Sequence, residues 1–227
     1  MNKMKKKLSY LIILVLIPAI TVGGAVIFGN KQYAWISLCV MLLACIPFFI
    51  SFEKREGNAA SVMIIAVMTA LSVLGRIAFA PVPSFKPVAA IVILTAMYFG
   101  SEAGFMTGAL SAIISNFYFT QGPWTPFQMF SWGIVGLIAG LIAEPLKKSK
   151  LMLSLYGAFA GVLFSVLMDV WTVLWADGYF NISRYLAAIV SALPVTAVYV
   201  VSNIIFLLLL SKPIGNILQR IKTKYGI

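Results

Sequence analysis

The sequence has no histidine, two cysteines and only six acidic residues among 227 positions. Without histidine the chain lacks the commonest general base and metal ligand, which excludes Ser-His-Asp triads, zincin-type zinc sites and histidine-ligated haem. Cys39 and Cys45 stand six apart in an apolar stretch without CxxC spacing, so neither a redox motif nor a disulfide framework is expected; both read as small buried hydrophobes. No GxxxxGK[ST] run occurs, so no P-loop is present to hydrolyse ATP. Catalytic residues, a metal site and a cofactor are not expected. Charge is scarce as well. Charged residues make up 10% of the chain and hydrophobic residues 62%, against about 25% and about 45–50% in soluble domains. The expected fold class is an all-α polytopic membrane protein.

Hydropathy and helix breakers divide the chain into eight apolar segments near 8–29, 33–51, 59–80, 87–100, 102–118, 127–146, 152–176 and 185–211. The first follows Lys5, Lys6 and Lys7, but its apolar run exceeds a signal-peptide core and no small-x-small cleavage site follows, so it reads as a retained helix. The fourth and fifth are short and meet at Gly100-Ser101-Glu102, which predicts a tight hairpin. Seventeen Lys and Arg give a net charge of +11. Thirteen of them fall in four alternate regions: Lys3 to Lys7, Lys54 and Arg55, Lys147 to Lys150, and Lys212 to Lys224. The opposite loops hold only Lys31, Lys86 and Arg184, and Arg76 lies inside a helix. The excess therefore reads as an orientation signal and not as a nucleic-acid footprint; both termini are expected in the cytoplasm. A charged interruption at 52–58 divides a two-helix N-terminal hairpin, 1–57, from a six-helix core, 58–212, with a basic cytoplasmic tail at 213–227.

In lipid the hydrophobic drive between helices is weak, so close packing relies on small residues four apart. Gly100, Gly104, Gly108 and Ala112 form one such stripe; Gly136 and Gly140, and Gly157 and Gly161, form others. Internal packing is the ordinary reading of each. Ala66 and Ala70, an AxxxA near the start of the core, are candidates for a face offered to a partner.

Three loops expected on the outer side are poor in charge and rich in aromatics and proline. They run through Pro81-Val82-Pro83-Ser84-Phe85-Lys86-Pro87, Asn116 to Gln128, and Trp175 to Asn181. The candidate ligand-binding residues are Phe85, Lys86, Asn116, Tyr118, Gln121, Trp124, Gln128, Trp132, Trp175 and Tyr179. An interfacial aromatic belt explains any one ring, but a belt decorates both membrane faces, whereas all five tryptophans, with Trp35 and Trp171 completing the set, are expected in the outer half. Rings beside amide donors suit a planar or large organic ligand. Intramembrane charges are functional candidates because each is costly unless paired. Arg76 and Asp169 lie at comparable depths, so either a buried ion pair or a ligand contact is open to them. Tyr199 and Asn203 read first as interhelical hydrogen-bonding groups. No string of buried carboxylates and no pair of broken helices supplies an engine for self-powered transport.

Residues 58–212 resemble the substrate-binding S components of energy-coupling factor (ECF) transporters. The resemblance rests on Ala66-Val67-Met68-Thr69-Ala70, the short second and third core helices, and the segment Ser115 to Met129 with its Gly122-Pro123-Trp124-Thr125-Pro126 run. It implies a passive capture subunit in a bacterial cytoplasmic membrane that binds a vitamin-like substrate on its outer face. A transmembrane T component, contacted through Ala66 and Ala70, and two cytoplasmic ATPases are the implied partners. The N-terminally extended, Gly-Pro-Trp-containing type is similar to the group assigned to cobalamin or related corrinoids, with riboflavin, another tetrapyrrole or a modified base as further candidates. A stand-alone permease is the alternative. A lipid-modifying membrane enzyme is a weaker one, since Asp169 and Asp177 do not form a DxxD motif.

Overall fold

The structure, a computed structural model, describes residues 59–226 together with Cys45. The expected N-terminal hairpin, the reading of the first segment, Cys39 and Trp35 lie outside the described residues, apart from Cys45, which is buried in the core as expected. Residues 59–226 form seven helices with no strand: α1 Ala59–Ala78, α2 Val88–Phe99, α3 Ser101–Phe119, α4 Thr125–Leu141, α5 Ala143–Lys148, α6 Lys150–Asp177 and α7 Ile182–Tyr225. Each of the six core segments read from hydropathy corresponds to a helix, and the one at 127–146 divides into α4 and α5 at Ile142. Among the described residues three helices are long and apolar enough to cross a membrane: residues 60–78 of α1, α6 and α7; α2 and α4 are shorter apolar helices.

The boundaries follow local chemistry. Gly100, at φ 92°, closes α2 and opens α3, a conformation natural to glycine, and this makes the tight hairpin. Pro126 sits in the first turn of α4, where its missing N–H costs nothing. Ser149 caps α6 by accepting from the Met152 amide, and Gly178 ends it in the left-handed region. Asn181 then caps α7 by accepting from the Arg184 amide at 3.1 Å. Arg184 also pairs with Asp177 across this loop, Nε to Oδ2 at 2.7 Å. The helix α7 carries Pro194 and Pro213 internally and continues as helix through the basic stretch to Tyr225, burying Gly215 and Leu218.

The centre is α2, whose residues Val88 to Met97 are all buried; it touches every other helix. Around it, α3 pairs antiparallel with α4, and α6 with α7. The glycine stripes set both distances. A Cβ on Gly136 would overlap the Gly104 carbonyl, one on Gly108 would lie 2.5 Å from the Trp132 carbonyl, and one on Gly161 would lie 2.9 Å from the Val200 nitrogen. These stripes serve internal packing. By contrast, Ala66 and Ala70 are exposed, on an apolar face of α1 shared with Val62, Met63, Val67, Leu71 and Leu74. Alternation of the helices brings residues 79–87, 120–124 and 178–181 to one end of the bundle, the aromatic end. Gly100, α5 and the C-terminus of α7 lie at the other, the basic end.

Candidate functional site

At the aromatic end, Arg76 comes from the last turn of α1 and points between α3 and α4. Its Nη1 donates to Ser115 Oγ and, at 2.8 Å, to Asn116 Oδ1. The guanidinium carbon lies 4.5 Å from the Phe119 ring centroid and 5.0 Å from that of Trp132, so cation–π attraction holds it on two rings at once. Asn116 is the hub. Its amide nitrogen donates to Thr125 Oγ1 at 2.9 Å and to Gln128 Oε1 at 2.8 Å, and with Oδ1 bound to Arg76 this buried amide spends both of its donors on α4. Thr125 Oγ1 donates to Gln121 Oε1 at 3.0 Å, and Gln121 Nε2 donates to the Ile113 carbonyl at 2.7 Å. The α3–α4 loop is thereby tied back onto α3. Gln128 accepts that bond through Oε1, and among the described residues its NH2 group has no hydrogen-bond acceptor.

The α1–α2 loop is fixed through Lys86. Its backbone N–H donates to Ser202 Oγ on α7 at 2.9 Å, and that hydroxyl donates to the Lys86 carbonyl at 3.1 Å. The ammonium donates to the Phe79 carbonyl at 3.2 Å and lies 5.3 Å from the Phe119 ring centroid. Burial, and then the Arg76 charge, hold the Lys86 ammonium below the usual lysine value. The wall behind is aromatic: Trp132 stacks on Phe164 at 5.1 Å, and Phe164 meets Tyr199 edge-on at 5.2 Å. The Ser84 side chain lies beside the Tyr199 hydroxyl. Elements α1, α3, α4, α6, α7 and two loops therefore meet in one site of two cations, amides and rings.

Of the residues singled out from the sequence, the fold brings Arg76, Lys86, Asn116, Gln121, Gln128 and Trp132 together. Trp124 folds over Gly122 and packs beside the core, closing the loop. Phe85 turns inward to Phe79 and Phe206, at 6.0 and 5.1 Å between centroids. Tyr118, Trp175 and Tyr179 are exposed at the rim, where Trp175 leans on Trp171 at 5.1 Å. Asp169 is not paired with Arg76. Ser165 of α6 hydrogen-bonds Thr196 of α7, and Asp169, one turn further along the same side of α6, also faces α7 beside Tyr185. Of the two readings left open, an ion pair or a ligand contact, the ion pair is not formed among the described residues: Arg76 bonds Ser115 and Asn116, and Asp169 lies on the α6–α7 seam. Ser115, Phe119, Thr125, Phe164, Tyr199 and Ser202 join the site without having been singled out as ligand-binding. The signal for Phe119 was its helical spacing, three residues from Asn116 and four from Ser115. Among the described residues no group of three or more His, Cys, Asp or Glu side chains is arranged to hold a metal ion.

A helical bundle with apolar spans and a cluster of polar and aromatic side chains at one end is that of a multi-pass membrane protein. Residues 57–220 match the family model described as "ECF-type riboflavin transporter, S component". The chain belongs to this family of ECF transporter S components, which are transport subunits and not enzymes, and membership implies a T component and ATPases as partners. Among curated proteins it is similar to the UPF0397 protein of Aliivibrio salmonicida strain LFI1238, 29% identical over 147 residues, 63% of this chain and 77% of that one. The UPF0397 protein of Vibrio atlanticus strain LGP32 is 28% identical over 150 residues, 58% and 81% of the two chains. No solved structure matches the chain.

Proposed function

We propose that this chain captures a planar, vitamin-like heteroaromatic compound of the flavin class at its aromatic end, on the outer face of a bacterial cytoplasmic membrane, and delivers it through a T component driven by two cytoplasmic ATPases. The observation that carries this reading is the juxtaposition of a directional polar edge, Arg76, Asn116 and Gln128, with the aromatic wall of Trp132, Phe164 and Tyr199. A ring stacks on the wall while its carbonyl acceptors meet the donors, the usual economy of small-molecule sites. The family's description supports the flavin ring. The asymmetric distribution of Lys and Arg supports the orientation, with both termini inside. Ala66 and Ala70 form the face for the T component, since their small, exposed side chains allow a partner helix to approach closely.

A corrinoid is the second reading. The exposed rim of Phe117, Tyr118, Trp175 and Tyr179 favours it, because that rim offers apolar area to a ligand larger than the inner site. Titrating the purified protein with riboflavin and with cobalamin separates the two, and a Trp132→Ala variant should weaken riboflavin about tenfold or more through the lost stacking. Ala66→Trp/Ala70→Trp should keep ligand binding and lose co-purification with the T component and ATPases. Retention of that complex argues against the α1 face, and substrate uptake into liposomes by the chain alone would make it a stand-alone permease.

A further inference from the structure

The geometry points to an anion subsite: Arg76 and Lys86, facing one Phe119 ring with no described carboxylate between them, receive a phosphate or carboxylate group carried by the captured ligand. This rests on the capture reading and adds the ligand's charge to it. Two cations share the site. The guanidinium carbon and the ammonium nitrogen stand 4.5 and 5.3 Å from the same ring centroid, the Arg76 charge acts against the Lys86 ammonium, and each is partly withdrawn from water. Such charges are costly unless paired, yet the described carboxylates are engaged elsewhere. Glu102 and Glu144 lie at the basic end, Asp177 pairs with Arg184, and Asp169 faces α7.

The donors are also aimed and unspent. Among the described residues, only Nη1 of Arg76 donates hydrogen bonds, to Ser115 and Asn116, which leaves Nε and Nη2 of a guanidinium whose fork matches carboxylate and phosphate oxygens. Lys86 uses one of its three N–H donors, on the Phe79 carbonyl. Two side-chain bonds and two rings preorganise Arg76, and the Ser202 clasp preorganises the Lys86 backbone. An incoming anion would meet charge-assisted donors that need little reordering.

The test uses the full chain purified in maltoside micelles free of phospholipid, with tryptophan emission as the readout because Trp132 adjoins Arg76. Inorganic pyrophosphate should give a saturable change, weakened about tenfold or more in Arg76→Gln and in Lys86→Gln and reduced by added salt. Lys86→Gln lies in a loop and guards against Arg76→Gln failing to fold, which circular dichroism would show. Riboflavin 5′-phosphate should bind about tenfold tighter than riboflavin in the native chain, and the two should become nearly equal in Lys86→Gln. Absence of any pyrophosphate response overturns the subsite, as does a response seen only with added phosphatidylglycerol, which would make the anion a lipid headgroup. If pyrophosphate binds and neither flavin does, the subsite stands and the flavin reading falls. If both flavins bind equally and pyrophosphate does not, the flavin reading stands and the subsite falls.

Discussion

The two ends of the α3–α4 pair are built on opposite principles. Towards the basic end the helices touch backbone to backbone through Gly104, Gly108, Gly136 and Gly140, with no room for a methyl group. Towards the aromatic end the same helices are joined by Asn116, Thr125 and Gln128 through directed hydrogen bonds that also hold Arg76. Close glycine packing fixes how near the helices come, and it is indifferent to what binds. The amide network fixes where donors point, and it leaves some of them unused. Close packing is thus supplied at one end and directed polar groups are displayed at the other.

The largest effect is expected where the glycine end is broken. Gly136→Val drives its side chain into the Gly104 backbone, which cannot move aside as a flexible side chain can, at a cost of about 3 kcal/mol or more. For a domain of this size the melting temperature in detergent should fall on the order of 10 °C. An unchanged melting curve would mean that the glycine contact is not what sets the α3–α4 distance. At the polar end the effect should divide differently. Asn116→Ala leaves Arg76, Thr125 and Gln128 without their shared partner, a loss of about 1–3 kcal/mol in stability, and ligand affinity should fall about tenfold as Arg76 loses its aim. Trp175→Ala, at the exposed rim, should leave flavin affinity within about twofold. Equal losses in the two variants, by calorimetry, would dissolve the distinction between inner site and rim.

The packing end was the more legible in the sequence. Glycines four apart announce a close helix crossing whatever the partner is, and Gly100 between two apolar runs announces the hairpin; both depend on local spacing alone. The site was legible in its residue types, since an arginine inside an apolar helix and amides beside aromatics are conspicuous in so uncharged a chain. Its pairings were not. Whether Asp169 meets Arg76 depends on the rotational phase of α6, which is fixed by Gly157 and Gly161 against α7 and by the Ser165–Thr196 bond. Comparable depth in the membrane says nothing about that phase. Tyr199 was read as an interhelical hydrogen-bonding group and Phe119 as one ring of an outer aromatic segment; that Arg76 lies over Phe119 follows from how α1 packs on α3, which spacing within one helix does not show. The division of the sixth segment at Ile142 was masked by unbroken apolar character up to Glu144 and Pro145.

The smallest expected effect separates stability from binding at a single side chain. Burial and the adjacent Arg76 charge hold the Lys86 ammonium below the usual lysine value of 10.5, so the folded chain gives up this proton more readily than the unfolded chain. As pH rises through the window from the lowered folded value towards 10.5, the unfolded state binds more protons, and stability must increase. An anion held by the same ammonium must bind less well over that window, because its charge partner is disappearing. The native chain minus Lys86→Gln isolates this group from Arg76 and Tyr199, which also face the region. That difference should show melting temperature rising slightly and pyrophosphate affinity falling over one pH interval. Parallel curves for the two proteins would show that Lys86 is solvated like any surface lysine, and the aromatic end would then hold one working cation instead of two.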